Sequence, residues 1–359
     1  MQVVSLFATA LIVLVTVIPF SRLKYWWVRD FDFPRFQFFT VAVLVLLVQL
    51  VWLDFQDITT WVCFGLNVLC CLYHGWWIYP YTPFHQREVR DASHGADNTL
   101  KIISSNVLMT NREAQKLLDV VNDIQPDILV TLESDRWWEE QLDSLGFTHS
   151  VKCPLDNLYG MHVYSQQPLI DPQLEFLVED NIPSVHAAVK LKNGQEVCLH
   201  FLHPAPPSPT ENDTSTARDG ELFIVAKKIA ETNKPTIVCG DLNDVAWSLS
   251  TRLFRRTSGL LDPRIGRGMF NTYNANYKVC RWPLDHVFHS EHFTLVSLQR
   301  LPPIGSDHFP LYSALAFEPV AKYEQGDNGL DQEAESSKKV EEDIDKVRAS
   351  KEDVPSPAE

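Results

Sequence analysis

Asp241 and Asn243 stand two positions apart at the end of the run Pro235-Thr236-Ile237-Val238-Cys239-Gly240. A carboxylate and an amide so placed can hold a hard cation, a water or a phosphate oxygen. Taken alone, they also suit an Asx turn or the cap of a helix that begins near Ala246. Other residues of the same chemical kind recur at similar places. They are Asn106, Glu133, His203, Asp285, Asp307 and His308. Carboxylates and amides together make an oxygen-rich site suited to Mg²⁺ or Mn²⁺, with room for waters and substrate oxygens. A histidine beside a carboxylate can be oriented and kept charged to meet a phosphate, or can move a proton. Each residue also has a bland reading as a turn, a cap or an edge-strand histidine. Their joint occurrence favours chemistry at phosphorus.

The elements needed to gather them are legible. The apolar, β-branched run into Asp241 reads as a buried strand, and Gly240 as its tight exit. Leu100 to Ser105 is a similar run ending at Asn106, and Asp127 to Leu132 is one ending at Glu133. Between these two lies helical spacing over Asn111 to Ile124, stopped by Pro126. Ser134 or Asp135 caps a further helix reaching about Leu145. Met161 to Ser165, Val185 to Leu191 and Val197 to Leu202 read as short strands. Asn193-Gly194 joins the last two as a hairpin, and the third ends at His203-Pro204. Ala217 to Glu231 is helical by pattern. Late strands are expected near residues 286–289, 293–298 and 311–317. Parallel-type strands deliver their carboxyl ends to one rim, where α/β proteins keep their chemistry. The expected fold is α/β, with two mixed sheets packed face to face and helices outside.

The chain has 359 residues and a formal net charge of -15, the wrong sign for a protein that grips nucleic acid mainly through its phosphates. Three apolar runs precede residue 80: about 3–20, 38–53 and 58–79. Each approaches the ~20 residues of a transmembrane helix. Tyr25, Trp26, Trp27, Trp52, Trp61, Trp76, Trp77, Tyr79 and Tyr81 cluster at their ends as an aromatic belt. The first loop carries Arg22, Lys24, Arg29 and Arg35, and the second Asp54 and Asp57. The positive-inside rule then puts loop one and the soluble domain in the cytoplasm of a multi-pass membrane protein. Residues 1–80 are thus read as a transmembrane region, 81–98 as a linker, 99–319 as the catalytic domain and 320–359 as a charged, disordered tail, with a charged solvent-exposed helix around Lys338 to Lys346 as the rival for that piece. No protein partner is expected beyond the bilayer and a phosphoester substrate.

The order Asn106, Ile128-Leu129-Val130-Thr131-Leu132-Glu133, His203, Gly240-Asp241-Leu242-Asn243, Leu284-Asp285-His286-Val287-Phe288 and Ser306-Asp307-His308-Phe309-Pro310 resembles the endonuclease/exonuclease/phosphatase superfamily. The resemblance covers about residues 99–318, and the three-span head is similar to a bacterial membrane-attached branch of it. It implies a DNase I-like four-layer α/β sandwich and a divalent metal, Mg²⁺ or Mn²⁺. By motif position, Glu133 with Asn106 and Asp307 would hold the metal. Asp241 would orient or deprotonate the attacking water, and Asn243 would hold the phosphate. His308, paired with Asp285, would stabilise the transition state, and His203 would contact a phosphate oxygen or aid the leaving group. Arg218 either faces the substrate phosphate or pairs with an acid on its helix. His162 is unusual for the family at its position. The implied activity is hydrolysis of a phosphodiester, lipid head group or phosphorylated metabolite. The runners-up are a nuclease and a non-catalytic scaffold that binds phosphorylated ligands.

Overall fold

The computed structural model describes residues 2–52, 54–232, 234–331 and 334–352, with side chains on 334–335 and 349–352 excepted. Leu53, the predicted end of the second apolar run, and residues 353–359 of the tail lie outside the described residues.

Two sheets form the centre. One has the order β10-β11-β1-β2-β4-β3, the other β5-β6-β7-β8-β9. Their strands are β1 (Thr99–Asn106), β2 (Ile128–Leu132), β3 (His149–Cys153), β4 (Met161–Ser165), β5 (Ile170–Glu175), β6 (Ser184–Lys190), β7 (Glu196–Leu202), β8 (Thr236–Asp241), β9 (Asp285–His289), β10 (Phe293–Arg300) and β11 (Leu311–Phe317). Only β1–β2 and β7–β8 pair in parallel. Alternate residues of each strand face the partner sheet, as the period of two requires. Ile102, Val130, Val163, Leu199, Phe201, Ile237 and Val287 thus share one buried core. The opposite faces are covered by helices. α5 (Ala114–Ile124) and α6 (Arg136–Leu142) pack on Ile103, Leu129 and Tyr164. α7 (Thr216–Thr232) and α8 (Leu249–Ser258) pack on Leu202, Val238 and Phe288. The result is the expected four-layer sandwich.

Before the sandwich come α1 (Gln2–Val17), the one-turn α2 (Trp26–Arg29), α3 (Arg35–Trp52) and α4 (Ile58–Ile78). The three long helices are long and apolar enough to cross a membrane. Their bundle is polar inside. Gln49 Nε2 donates to Ser5 Oγ at 2.9 Å, Asn67 Nδ2 to Thr9 Oγ1 at 2.8 Å, and Thr16 Oγ1 lies 2.9 Å from His74 Nε2. Leu44, Leu47, Leu69 and Leu72 are exposed outside. Apolar exteriors around hydrogen-bonded interiors suit helices whose solvent is lipid.

Two expectations need correction. Residues 81–98 are no free linker, for Tyr81 OH donates to Ala246 O at 2.8 Å and Val89 is part of the central core. Glu88 is buried against Arg255, and Asp91 bridges to Leu295. The tail is not disordered throughout. After the one-turn α9 (Lys322–Gln325), α10 (Ala334–Glu352) lays Val340 and Ile344 into the apolar cluster of α7 and α8. Apolar residues three and four apart, among charges, were enough to build one sticky stripe.

Ile344→Ala should cost about 2–5 kcal/mol, the usual range for emptying such a site. Thermal denaturation of the full chain in detergent would read this as a Tm drop of several degrees, and an unchanged Tm would mean α10 is undocked. A second expectation concerns acid. Burial pushes His162, His186, His200 and His289 down to about 4, 4, 3 and 4, so the fold keeps them neutral. Their folded values lie below the unfolded value of ~6.5. That stability is complete above ~6.5 and is lost as pH falls toward 4. Urea midpoints should therefore fall steadily between pH 6.5 and pH 4.5, and a flat profile would contradict the burial of these rings.

Candidate active site

The strand ends bring most of the polar set together. Asn106 closes β1, and Glu133 follows the parallel strand β2. Asp241 ends β8 and sits in register opposite Asp285, the first residue of β9. Asp307 and His308 arrive on the loop before β11. Gly240 makes the approach possible. A Cβ on it would lie 2.0 Å from Leu202 O, and its φ of +146° is open to glycine. Glu133 and Asn243 also have positive φ, 54° and 51°. Non-glycine residues in that region cluster where a site holds them.

Charge governs the geometry. His308 Nδ1 donates to Asp285 Oδ2 at 2.8 Å, and Nε2 lies 3.5 Å from Asp241 Oδ2. Burial alone would lower this imidazole, but Asp285 and then Asp241 outweigh it and push it up to about 10. His308 is therefore an imidazolium between two acids. Asp241 Oδ1 accepts the Asn243 N–H at 2.9 Å. Asn106 Nδ2 donates to Glu133 Oε1 at 2.7 Å and to Asp241 Oδ2 at 3.3 Å.

Glu133 is the odd member. Burial pushes it up to about 7, against the Asn106 hydrogen bond and the His308 charge. Its Oε2 is buried without a hydrogen-bond partner. A cation would remove both problems, and the carboxylate oxygens of Glu133 and Asp307 suit a hard divalent ion, while the Asn106 Oδ1 accepts the Leu108 N–H at 3.1 Å. Asp241, Asp285 and His308 also have ligand atoms within 4.8 Å of one another. There an ion would compete with the imidazolium for the same carboxylates, so the Glu133 side fits better.

A cavity of about 510 Å³ opens over these groups. Glu133, Asp241, Asn243, Asp307 and His308 line it. Asn243 Nδ2 is tied to Pro204 O at 3.0 Å. Asp285 lies behind His308. His203 is buried beneath Tyr159, with ring centres 5.2 Å apart. Burial pushes it down to about 4, and its Nδ1 has no hydrogen-bond partner.

Arg218 is not on the cavity. It is buried, bonds Asp219 and Asp244 at 3.0 and 2.9 Å, and donates to Asn243 O at 2.8 Å. Its expected role toward substrate gives way to the alternative, pairing with acids. It holds the Asn243 loop from below, because burying a guanidinium demands acidic partners. His162 is buried on β4, away from the cavity, with no hydrogen bond at either ring nitrogen and Nε2 3.9 Å from Glu139 Oε2.

Tyr273 and Trp282 line the cavity and were not foreseen. The Tyr273 ring lies against His308, tilted by 42° with centres 4.8 Å apart. Their only sequence signal was a cluster of rings in an otherwise polar loop. Asp30, Phe33 and Pro34 also line it. No sequence signal could bring a loop between apolar helices to a site two hundred residues away.

A model of the endonuclease/exonuclease/phosphatase family matches residues 103–308. The chain belongs to this family. The catalytic domain of human Nocturnin, solved with a sulfate anion, is similar to it, with a TM-score of 0.51, 18% identity, and coverage of 65% of this chain and 96% of that one. So is the D. rerio TDP2 bound to a single-stranded DNA product, with a TM-score of 0.50, 18% identity and coverage of 61% and 99%. A family member from Beutenbergia cavernae has a TM-score of 0.50, 17% identity and coverage of 62% and 72%. No curated protein matches the chain. Enzymes of this family hydrolyse phosphoester bonds and use divalent metals, and this chain is a hydrolase of that kind.

Glu133→Gln keeps the shape and removes the charge. Its expected effect is at least a tenfold loss of Mn²⁺ affinity by titration calorimetry, with the far-UV spectrum unchanged. Equal affinity in the two proteins would move the metal elsewhere.

Proposed function

We propose that this chain is a membrane-anchored, divalent-metal-dependent phosphoesterase that cleaves a P–O bond by direct attack of water. The observation that carries the reading is the unpartnered, buried Glu133 Oε2 beside the Asp285–His308–Asp241 array. Mg²⁺ or Mn²⁺ held by Glu133, Asn106 and Asp307 would supply Lewis-acid polarisation of a phosphoryl oxygen. Asp241, fixed by the Asn243 N–H, orients the attacking water and accepts its proton. His308, held charged by Asp285, donates to the phosphoryl oxygen that gains charge. Asn243 presents its amide to the same group. His203, kept neutral, assists on the leaving-group side. The water is the nucleophile, so no covalent intermediate forms.

The three apolar helices with their polar interior support anchoring in a bilayer. The basic bias of loop one supports a cytoplasmic catalytic domain. The net charge of -15 and the acidic wall residue Asp30 weigh against a polynucleotide substrate. A retired scaffold would have no use for a complete charge array.

The test uses the full chain in detergent with bis-p-nitrophenyl phosphate, p-nitrophenyl phosphate and plasmid DNA, each with Mg²⁺, Mn²⁺ or EDTA. Turnover should need the metal and fall at least 10³-fold in Asp241→Asn, about the size of losing a general base along with its positioning. Metal-independent turnover, or an active Asp241→Asn, would overturn the mechanism. Nicking of plasmid in preference to the small esters would make it a nuclease.

A further inference from the structure

The outer wall of the catalytic cavity is built by the membrane region itself. Asp30, Phe33 and Pro34, from the segment joining α1 and α3, face Glu133, Asp241, Asp307 and His308 across it. The segment is firmly held. Trp247 Nε1 donates to Asp32 O at 2.7 Å, Trp26 N donates to Asp213 O at 3.0 Å, and the Phe33 ring stands edge-on to Trp282 at 6.0 Å.

This fixes the height of the cavity. Pro34 immediately precedes α3, whose residues 35–52 are a candidate membrane span. At ~1.5 Å per residue, the wall stands within about a turn of the first apolar layer of that helix. The headgroup layer on one side of a bilayer is itself about 5–7 Å deep. Gln37 Nε2, in the first turn of α3, donates to Val279 O at 2.9 Å, which sets the loop of residues 274–281 at the same level. On that loop Val279 is 76% and Tyr277 60% exposed, beside the exposed Lys278. Exposed rings and aliphatic side chains next to a cation are the composition of a headgroup-level surface. The cavity between is lined both by the rings of Phe33, Tyr273 and Trp282 and by the acids of the catalytic array.

We infer that the substrate is a phosphoester carried on a membrane lipid, whose head group enters the cavity from the plane of the bilayer while its tail stays in the leaflet. The inference rests on the phosphoesterase reading above. In the step, a water oxygen bonds to phosphorus and one P–O ester bond breaks. One water proton passes to the departing alcohol oxygen, and the phosphate keeps the hydroxyl.

The full chain would be reconstituted in vesicles that contain phosphatidic acid, phosphatidylglycerol or phosphatidylethanolamine. Turnover would be compared at matched concentration with that of glycerol phosphate, glycerophosphoglycerol and glycerophosphoethanolamine. Bis-p-nitrophenyl phosphate reports that the site is competent. The expected result is at least one lipid cleaved tenfold or more faster than its soluble counterpart, and a tenfold drop in the ratio of lipid to bis-p-nitrophenyl phosphate turnover in Val279→Glu. If the soluble ester is cleaved and no lipid outpaces its counterpart, the lipid inference falls and the phosphoesterase stands. An unchanged ratio in Val279→Glu overturns it as well. Silence on every substrate, the reference included, overturns both.

Discussion

Several acidic side chains share one small, largely buried space, and nearly everything around the cavity answers that crowding. Asp241, Asp285, Glu133 and Asp307 cannot all be ionised there without positive charge among them. One imidazolium, His308, satisfies two of them through a 2.8 Å hydrogen bond and a 3.5 Å contact. Asn106 donates its amide to Glu133 and, more weakly, to Asp241 as well. The uncompensated remainder collects on Glu133, and that is why a cation belongs beside it. The strained backbone at Glu133 and Asn243 follows from the same demand. Side chains must turn into a space their strands would not otherwise reach, and Arg218 secures the Asn243 turn from beneath.

Much of this was legible in the sequence, for a simple reason. A buried strand is a short apolar run, and its end is where polarity returns. Asn106, Glu133, His203, Asp241 and Asp285 all stand at such boundaries. Their convergence follows from two parallel pairings and one antiparallel pairing that puts Asp241 opposite Asp285. What stayed hidden was long-range packing. Arg218 looked equally suited to the substrate phosphate and to an acid on its helix, because only tertiary contact supplies Asp244 and buries the guanidinium. Strands β3 and β5 carry weak patterns, the latter with a proline, and escaped notice. The helical tail failed by composition. Its charges dominate a count, yet Val340 and Ile344 decide where it packs.

The N-terminal helices show the reverse arrangement to the sandwich, with hydrogen bonds inside and leucines outside. Both obey the same rule. Polar groups hide wherever the surroundings cannot satisfy them. The two halves meet along a seam of mixed character, where Arg35 and Arg29 are buried against Asp32 and the Arg252 guanidinium lies over the Trp77 ring at 4.5 Å. Asp32 anchors the seam, pairing with both arginines while its carbonyl accepts the Trp247 Nε1–H.

The weaving of residues 81–98 into the sandwich bears on how the chain is made. Val89 belongs to the core between the sheets, while Lys24, Tyr25 and Trp26 pair with the backbone of residues 213–215. Residues 24–26 must therefore wait for partners synthesised nearly two hundred residues later. Until they emerge, the seam is open. The N-terminal helices and the sandwich therefore complete each other's packing only when both are present.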